Sequence, residues 1–421
     1  FIITSTGEFE NAGGGMPDVI EDSLTVVGSF YNSGALSCFK NCSFKLYSHL
    51  SNNGSSLNTS NIDFLLLGND DQAFPGLSPL KSLTLRKTGG NAIISATTTI
   101  SYSLVVESGG LSMLNADLFV FGTSTIGAAG VVTSTSGWLT FDGAVTSTGA
   151  IGSITGKIEF GGYTRLEDGS LLDVGDLLST SSSGSIVAGP ASHVRYTSAS
   201  TQAVQPILYG LVSFTGGGTY TLSASTTAVA TTTVGALSTL TLNGQRYEAL
   251  GAFENEGQVA SSTGSRLIHP VDYVQFTTGT GAVVASYTDG DWLFVTLKDS
   301  NLNLDGTATE FVSVTVTSTL AAGNDLENLL LQETGIATGI FRNTTPILVK
   351  ASLAVLGNDG ELDVTGDGFA QTVYYDPTDL PDSRAVSIAV SGTPPGPNVA
   401  PDVPSSLGPT AAVDGSTTST N

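Results

Sequence analysis

Gly7-Glu-Phe-Glu-Asn-Ala-Gly13, Gly28-Ser-Phe-Tyr-Asn-Ser-Gly34 and Gly251-Ala-Phe-Glu-Asn-Glu-Gly257 share one pattern, Gly-x-Phe-x-Asn-x-Gly. The first two copies lie 21 residues apart. That spacing is about the circumference of one coil of a parallel β-helix, within the ~20–50-residue range of solenoid repeats. Each position has a physical use in such a coil. Phe stacks inward on the Phe of the next turn, Asn tolerates the left-handed region at a turn, and Gly closes the corner.

A longer echo runs outward from these copies. Ile94-Ser-Ala-Thr-Thr-Thr99 matches Leu222-Ser-Ala-Ser-Thr-Thr227 at an offset of 128. Leu80 and Leu83 match Leu208 and Leu211, Gln72-Ala73 matches Gln202-Ala203, and Leu111-Ser112 matches Leu237-Ser238, with drifts of two residues. Turn insertions in a solenoid produce such drift. The pieces Ser82-Leu-Thr-Leu85, Lys157-Ile-Glu-Phe160 and Thr239-Leu-Thr-Leu242 add strands bounded by turn residues. Residues 1–268 are therefore expected to form a β-helix solenoid of two related blocks.

From about Val271 the alternation lengthens. Trp292–Leu297 places Leu293, Val295 and Leu297 on one face, and Phe311–Val316 does the same with Val312, Val314 and Val316. Residues 327–331, 351–356 and 372–375 continue the series, which predicts an antiparallel β-sandwich over 271–392. Residues 393–421 read as a proline-rich linker, from Thr393-Pro-Pro-Gly-Pro397 on, and the start of a further module. The fold class is all-β: a parallel β-helix followed by a sandwich.

Composition agrees and bounds the function. Charged residues make up 12% of the 421, against roughly 25% in a typical soluble domain. Ser, Thr, Gly and Asn replace them, as pleated surfaces and turns require. The net charge of −23 repels phosphate backbones and anionic lipid, which argues against nucleic-acid and membrane-surface partners. Residues 1–270 hold 10 basic and 19 acidic side chains, while 271–421 hold 4 and 18, so the two parts carry different surfaces. No run of about 18 apolar residues is present to span a bilayer. The first residue is Phe with no leader pattern after it, which predicts a processed or partial chain outside the cytoplasm.

Residues 285–376 resemble an immunoglobulin-like domain repeated in large bacterial and archaeal surface proteins. The likeness rests on Tyr287-Thr-Asp-Gly-Asp291, Val295 through Asn303, Glu310-Phe-Val-Ser-Val-Thr-Val316, Glu333-Thr-Gly-Ile-Ala-Thr-Gly339 with Phe341, and Tyr375-Asp376. Residues 72–99 and 202–257 resemble coils of β-helical stalks and adhesins of prokaryotic surface proteins. These resemblances imply an architecture and a cell-surface or extracellular setting, not a reaction.

Candidate chemistry is sparse. Asp299, Asn301, Asn303 and Asp305 recur at every second residue, with Gly306 and then Glu310. Calcium takes six to eight hard oxygens, and a turning loop of this kind can supply most of them. This run is the candidate structural calcium site; otherwise it is a solvated turn. Asp359, Asp363, Asp367, Asp376, Asp379 and Asp382 form a second acidic tract. Cys38 and Cys42 are either a disulfide closed by a tight turn or two half-buried thiols. Asn41, Asn53, Asn58 and Asn343 stand in Asn-x-Ser/Thr glycosylation sequons.

Catalysis finds little support. Asn69-Asp70-Asp71 and Glu167-Asp168 are adjacent pairs, and neighbours in a strand point to opposite faces. His49, His193 and His269 are scattered, and no Gly-x-Ser-x-Gly elbow occurs. The expectation is a non-enzymatic extracellular structural protein without cofactor other than calcium, assembling with itself into a surface layer or filament. The apolar Phe1-Ile-Ile-Thr4 segment would add to a neighbour's sheet. The alternatives are a glycan-binding adhesin stalk, with Tyr163, Tyr196, Tyr209 and Tyr220 exposed, and last a carbohydrate-active β-helix enzyme.

Overall fold

A computed structural model of the chain describes residues 2–3, 9–11, 23–33, 35–36, 38, 41–52, 56–57, 59–318, 324–352, 356–364, 368–379 and 381–392. Residues 393–421, Asp367, Asn53 and Asn58 lie outside them. The architecture is all-β, with a parallel β-solenoid of about 12 turns followed by a mixed sheet.

Each solenoid turn contributes strands to three faces. The first face stacks Ser23–Val26, Cys42–Leu46 and Ile62–Leu66, and later Tyr163–Leu166 and Ser185–Ala188. Its last strand is Arg266–Ile268, paired with Arg246–Ala249. The second face stacks Phe9–Asn11, Phe30–Asn32 and Leu50–Asn52, and ends with Thr232–Val234 on Phe253–Asn255. The third includes Leu118–Val120, Leu139–Phe141 and Lys157–Phe160, and ends with Thr239–Thr241 on Gln258–Ala260. Alternating burial along these short strands sends every second side chain inward. In mid-solenoid the strand continues around the corners, as in Leu80–Ile94 and Thr98–Met113.

The 21-residue spacing is one turn. Phe9 pairs with Phe30 and Asn11 with Asn32 in parallel register, and Asn32 Nδ2 donates to Asn52 Oδ1 at 2.8 Å. The Phe-x-Asn strands of all three copies fall on the second face. The 128-residue echo has a different geometry. Gln72–Phe74 lies on the second face, whereas Gln202–Val204 lies on the third, and Ile94 and Leu222 are displaced in the same way. The matched pairs that lie in strands advance by one face, so two blocks do not superpose turn on turn. A short strand followed by a corner recurs three times per turn, and sequence similarity alone does not say which third is matched.

One apolar core runs without a break from Leu24 to Leu267. Ring centroids 5.4 Å apart link Phe30, Phe44, Phe64 and Phe74, and Phe141 stacks on Phe160 at 5.6 Å. Contacts of this length suit offset or edge-to-face aromatic pairs. Lys87 is 1% exposed inside this core. Its Nζ donates to Asp70 O and Gln72 Oε1, both at 2.9 Å, and burial holds the ammonium below the usual lysine range.

Cys38 and Cys42 form a disulfide with Cα atoms 6.4 Å apart. It braces the entry to the first-face strand Cys42–Leu46. Closing so short a loop contributes about 2 kcal/mol in the chain-entropy account. In a solenoid each turn contacts only its neighbours. Reduction should therefore lower amide-exchange protection over residues 42–66 and leave residues 139–260 unchanged. Uniform loss of protection along the rod would contradict this.

The Ile2–Ile3 segment is not a free arm. It pairs in parallel with Thr25–Val26 of its own chain, on the first face.

Residues 271–392 build a second core around Leu293, Val295, Leu297, Val316, Leu331 and Phe341. Trp292–Lys298 pairs antiparallel with Tyr273–Thr277 and Ile340–Asn343, and Phe311–Ser318 pairs with Leu326–Glu333 and Gly368–Tyr375. Two pairings are parallel, Ser286–Thr288 with Ser383–Ser391 and Ile347–Ala351 with Glu361–Val364. The sheet is thus mixed, not purely antiparallel. The inward faces predicted for Trp292–Leu297 and Phe311–Val316 are those observed, with Val312 at the core's margin.

Candidate functional site

The alternating Asp/Asn run lies where the C-terminal sheet meets the last solenoid turn. Ser300–Leu302 makes one 3-10 turn, after which the backbone crosses the open edge of that turn. Asn255 Nδ2 donates to Asn303 O at 2.6 Å, and Asn303 Nδ2 returns a bond to Asn255 O at 2.9 Å. Val259 N donates to Leu304 O at 2.6 Å and Gly306 N to Gly257 O at 2.5 Å, beside an antiparallel bridge between Gln258 and Asp305. A solenoid edge exposes unpaired N–H and C=O groups that must be covered or used. Residues 303–306 cover them. The segment is a cap built from the second module.

Each of the five side chains expected to be calcium ligands makes at least one bond within the chain, while Asp299 Oδ1, Asn301 Oδ1, Asn303 Oδ1 and Glu310 Oε2 are buried without a hydrogen-bond partner. Asp299 is fully buried, and Tyr374 Oη donates to its Oδ2 at 2.7 Å. Asn301 Nδ2 faces Asp376 Oδ2 at 2.8 Å and Thr378 Oγ1 at 2.9 Å. Asn303 is engaged by Asn255, and Asp305 Oδ1 accepts from Thr307 N at 2.9 Å. Glu310 Oε1 accepts from Asp305 N at 2.6 Å. The second acidic tract is likewise dispersed. Asp363 N bonds Asp325 Oδ2, Asp379 pairs with Arg266, and Asp382 pairs with Arg384 and Val271 N. Among the described residues no group of three or more His, Cys, Asp or Glu side chains is placed to hold a metal ion. Asp299, Asn301 and Asn303 are buried at the seam, while Asp305 is only partly so. That spacing serves a protein edge as well as it serves an ion.

Burial makes this seam unusual electrostatically. Desolvation, with Asp376 and Asp382 nearby, pushes the Asp299 carboxyl up to about 7, and its Oδ1 has no hydrogen-bond partner. Burial raises Glu310 to about 7, helped by the adjacent Glu333 carboxyl. Burial and the Asp299 carboxyl drive the Tyr374 phenol far above its usual range. His269, 5% exposed, is held below the ordinary histidine value by its burial.

The remaining candidates are mostly braces. Asp71 Oδ1 accepts from Asn91 N and Asp168 Oδ1 from Ala191 N, each tying one corner to the next. His49 Nδ1 accepts from Ala73 N, and His193 Nε2 bonds Ser213 Oγ. Of the four tyrosines whose exposure would favour the stalk reading, Tyr196, Tyr209 and Tyr220 are fully buried and Tyr163 is exposed. Tyr196 Oη and Tyr209 Oη bond each other at 2.8 Å in the core. Of the sequons, Asn41 is exposed. Asn343 is 2% exposed, and its Nδ2 donates to Leu293 O and Thr345 O. Its amide nitrogen is not offered to an enzyme in the folded chain.

A groove of about 380 Å³ crosses the outside of the second face, and no motif in the sequence announces it. Gly152 leaves a gap in an outward column between Thr133 and Asp173. Ser112, Thr135 and Thr197 supply hydroxyls, Ile154 an exposed apolar edge, and the two-point Asp173–Arg195 ion pair closes one end. Strand register alone creates this column, so it becomes visible only when turns are aligned. No protein-family model matches the chain, and no curated protein matches it either.

Proposed function

We propose that the chain is a non-enzymatic structural subunit that works outside the cell, assembling with itself into a surface layer or filament. The observation that carries this reading is the unbroken core from Leu24 to Leu267 under in-register parallel ladders. Such a solenoid is a stiff rod, and its product is length. At roughly 4.8 Å per turn the rod is about 60 Å long. The Cys38–Cys42 disulfide supports an oxidising compartment. The C-terminal sheet is read as an immunoglobulin-like sandwich of the kind repeated in prokaryotic surface proteins, on the strength of its alternating strands and separate core. Electron micrographs of the purified chain and of native material should show rods joined into filaments or a lattice. Isolated particles at every concentration and salt would sink the reading.

The second reading is a glycan-binding stalk, favoured by the hydroxyl-lined groove at Gly152. Neutral sugars suit hydroxyls and a planar acid–arginine pair. A glycan array should then return hits that Gly152→Gln removes, and an array without hits counts against it.

A further inference from the structure

We propose that the seam between the last solenoid turn and the C-terminal sheet is a calcium site, with Asp299, Asn301, Asp376 and Thr378 as side-chain ligands and Leu267 and His269 giving main-chain oxygens. The proposal goes beyond the self-assembly reading and does not depend on it.

Charge is the first argument. Asp299 and Asp376 are both fully buried, and they lie close enough to repel one another. The donors that reach them are neutral. Tyr374 Oη donates to Asp299 Oδ2 at 2.7 Å, and Asn301 Nδ2 to Asp376 Oδ2 at 2.8 Å. Thr378 N and Oγ1 donate to Asp376 Oδ1 at 2.6 and 2.7 Å. Arg266 and Arg384 are taken by Asp379 and Asp382. Buried charges are paired or bound to metals, or else they are neutralised. A proton on Asp299 removes one of the two charges, whereas a divalent cation balances both.

The oxygens are the second argument. The Asn301 side chain is fully buried, and its two ends are unequally served. Its Nδ2 is ringed by Asp376 Oδ2 at 2.8 Å, Thr378 Oγ1 at 2.9 Å, and Leu267 O and His269 O at 3.4 Å each. An amide has only two hydrogens to give them. Its Oδ1 has no partner at all, and neither has Asp299 Oδ1. With the amide turned over, Asn301 Oδ1 would stand among those four oxygens, and only a cation would hold them together. Oxygens bound to one ion at roughly 2.3–2.6 Å are spaced from their neighbours by about such distances. Adding Asp299 Oδ1 brings the set to the lower end of the six to eight oxygens that calcium takes. Two carboxylates, an amide, a hydroxyl and two carbonyls suit calcium, whereas zinc favours nitrogen and sulfur and magnesium keeps several waters. Leu267 closes the solenoid core, while Tyr374, which holds Asp299, belongs to the C-terminal core, so one ion would bolt the two modules together.

The test titrates calcium into the full chain after treatment with a chelator, at pH 8, where a proton competes least. The melting temperature should rise by roughly 10 °C at a hundredfold excess of calcium over its dissociation constant, and magnesium at the same concentration should give a much smaller rise. Calcium should also slow exchange of the Val259 and Gly306 amides, which bond across the seam. Asp376→Asn should abolish the calcium response, yet its ion-free form should melt above the ion-free wild type, because one of two repelling charges is gone. That rise separates loss of the ion from loss of the fold. If Asp376→Asn does not fold, terbium replaces calcium as the probe. Its emission, sensitised by the Tyr374 ring beside Asp299, should dim in Tyr374→Phe while the calcium-induced rise in melting temperature persists. No rise with calcium overturns the site and leaves the unpartnered oxygens to water and Asp299 to its proton. A calcium response that survives Asp376→Asn, or terbium emission unchanged by Tyr374→Phe, places the ion on another part of this acidic chain and overturns the site as well.

Discussion

Gly122→Ala is expected to destabilise the solenoid by about 3 kcal/mol or more, because overpacking a tight site typically costs 1–3 kcal/mol and this one cannot yield. A Cβ there would stand 1.7 Å from the carbonyl oxygen of Tyr102, on the preceding turn. Backbone, not a flexible side chain, is the obstacle, so the turns themselves would have to separate. The same corner repeats the arrangement, with Gly143 at 2.0 Å from Gly122 O and Gly162 at 2.5 Å from Gly143 O. Gly169 is the contrast. It has φ of +83°, and a methyl group added there would meet nothing within 4 Å, so Gly169→Ala carries only the left-handed penalty of about 1 kcal/mol. Urea titrations followed by circular dichroism should separate the two variants. Because turns touch only their neighbours, Gly122→Ala should also reduce the urea m-value by splitting the rod into two cooperative parts. A Gly122→Ala transition within 1 kcal/mol of the wild type would refute this steric account.

The solenoid was legible because its period was written in residues with few alternatives. Phe and Asn two apart, flanked by Gly and repeated after one turn, fix both the circumference and the inward positions, and Phe9–Phe30 register follows. The strands Trp292–Lys298 and Phe311–Ser318 were legible through alternation alone. Legibility ended where a local pattern had two physical meanings. Tyr196, Tyr209 and Tyr220 look like surface aromatics in a Ser/Thr-rich chain, yet their rings fill the core and their hydroxyls are satisfied by one another and by backbone. The 128-residue echo preserved strand and corner but not the face. The Asp299–Glu310 run has the oxygen spacing of a cation loop, and it also meets the solenoid edge at Asn255–Val259, some 48 residues away in sequence. No local window contains that partner.

Asp299 gives the second large effect, a loss of stability as pH rises. Its folded pKa of about 7 lies above the ordinary value of 3.8, so the folded chain keeps a proton that the unfolded chain releases. The resulting stabilisation is complete below pH 4 and is lost as pH climbs to 7. Between pH 5 and pH 8 the loss from this group is roughly 3 kcal/mol at 1.36 kcal/mol per pH unit. Glu310 acts in the same direction, since burial and Glu333 raise it too. His269 acts in the opposite direction below its ordinary range, because its buried ring resists the proton that the unfolded chain accepts. The groups facing Asp299 are Tyr374, Asp376, Asp382 and Asn301, and none of them is a cation that could hold the carboxylate ionised. Trp292 belongs to the C-terminal sheet and Trp138 to the solenoid, so fluorescence of a Trp138→Phe chain follows the seam's own module. Its melting temperature should fall from pH 5 to pH 8, and Asp299→Asn, which keeps an acceptor for Tyr374 without a charge to bury, should flatten most of that slope. An unchanged slope in Asp299→Asn would assign the pH response to other groups, and a melting temperature that rises with pH would show that the carboxyl is ionised within the fold.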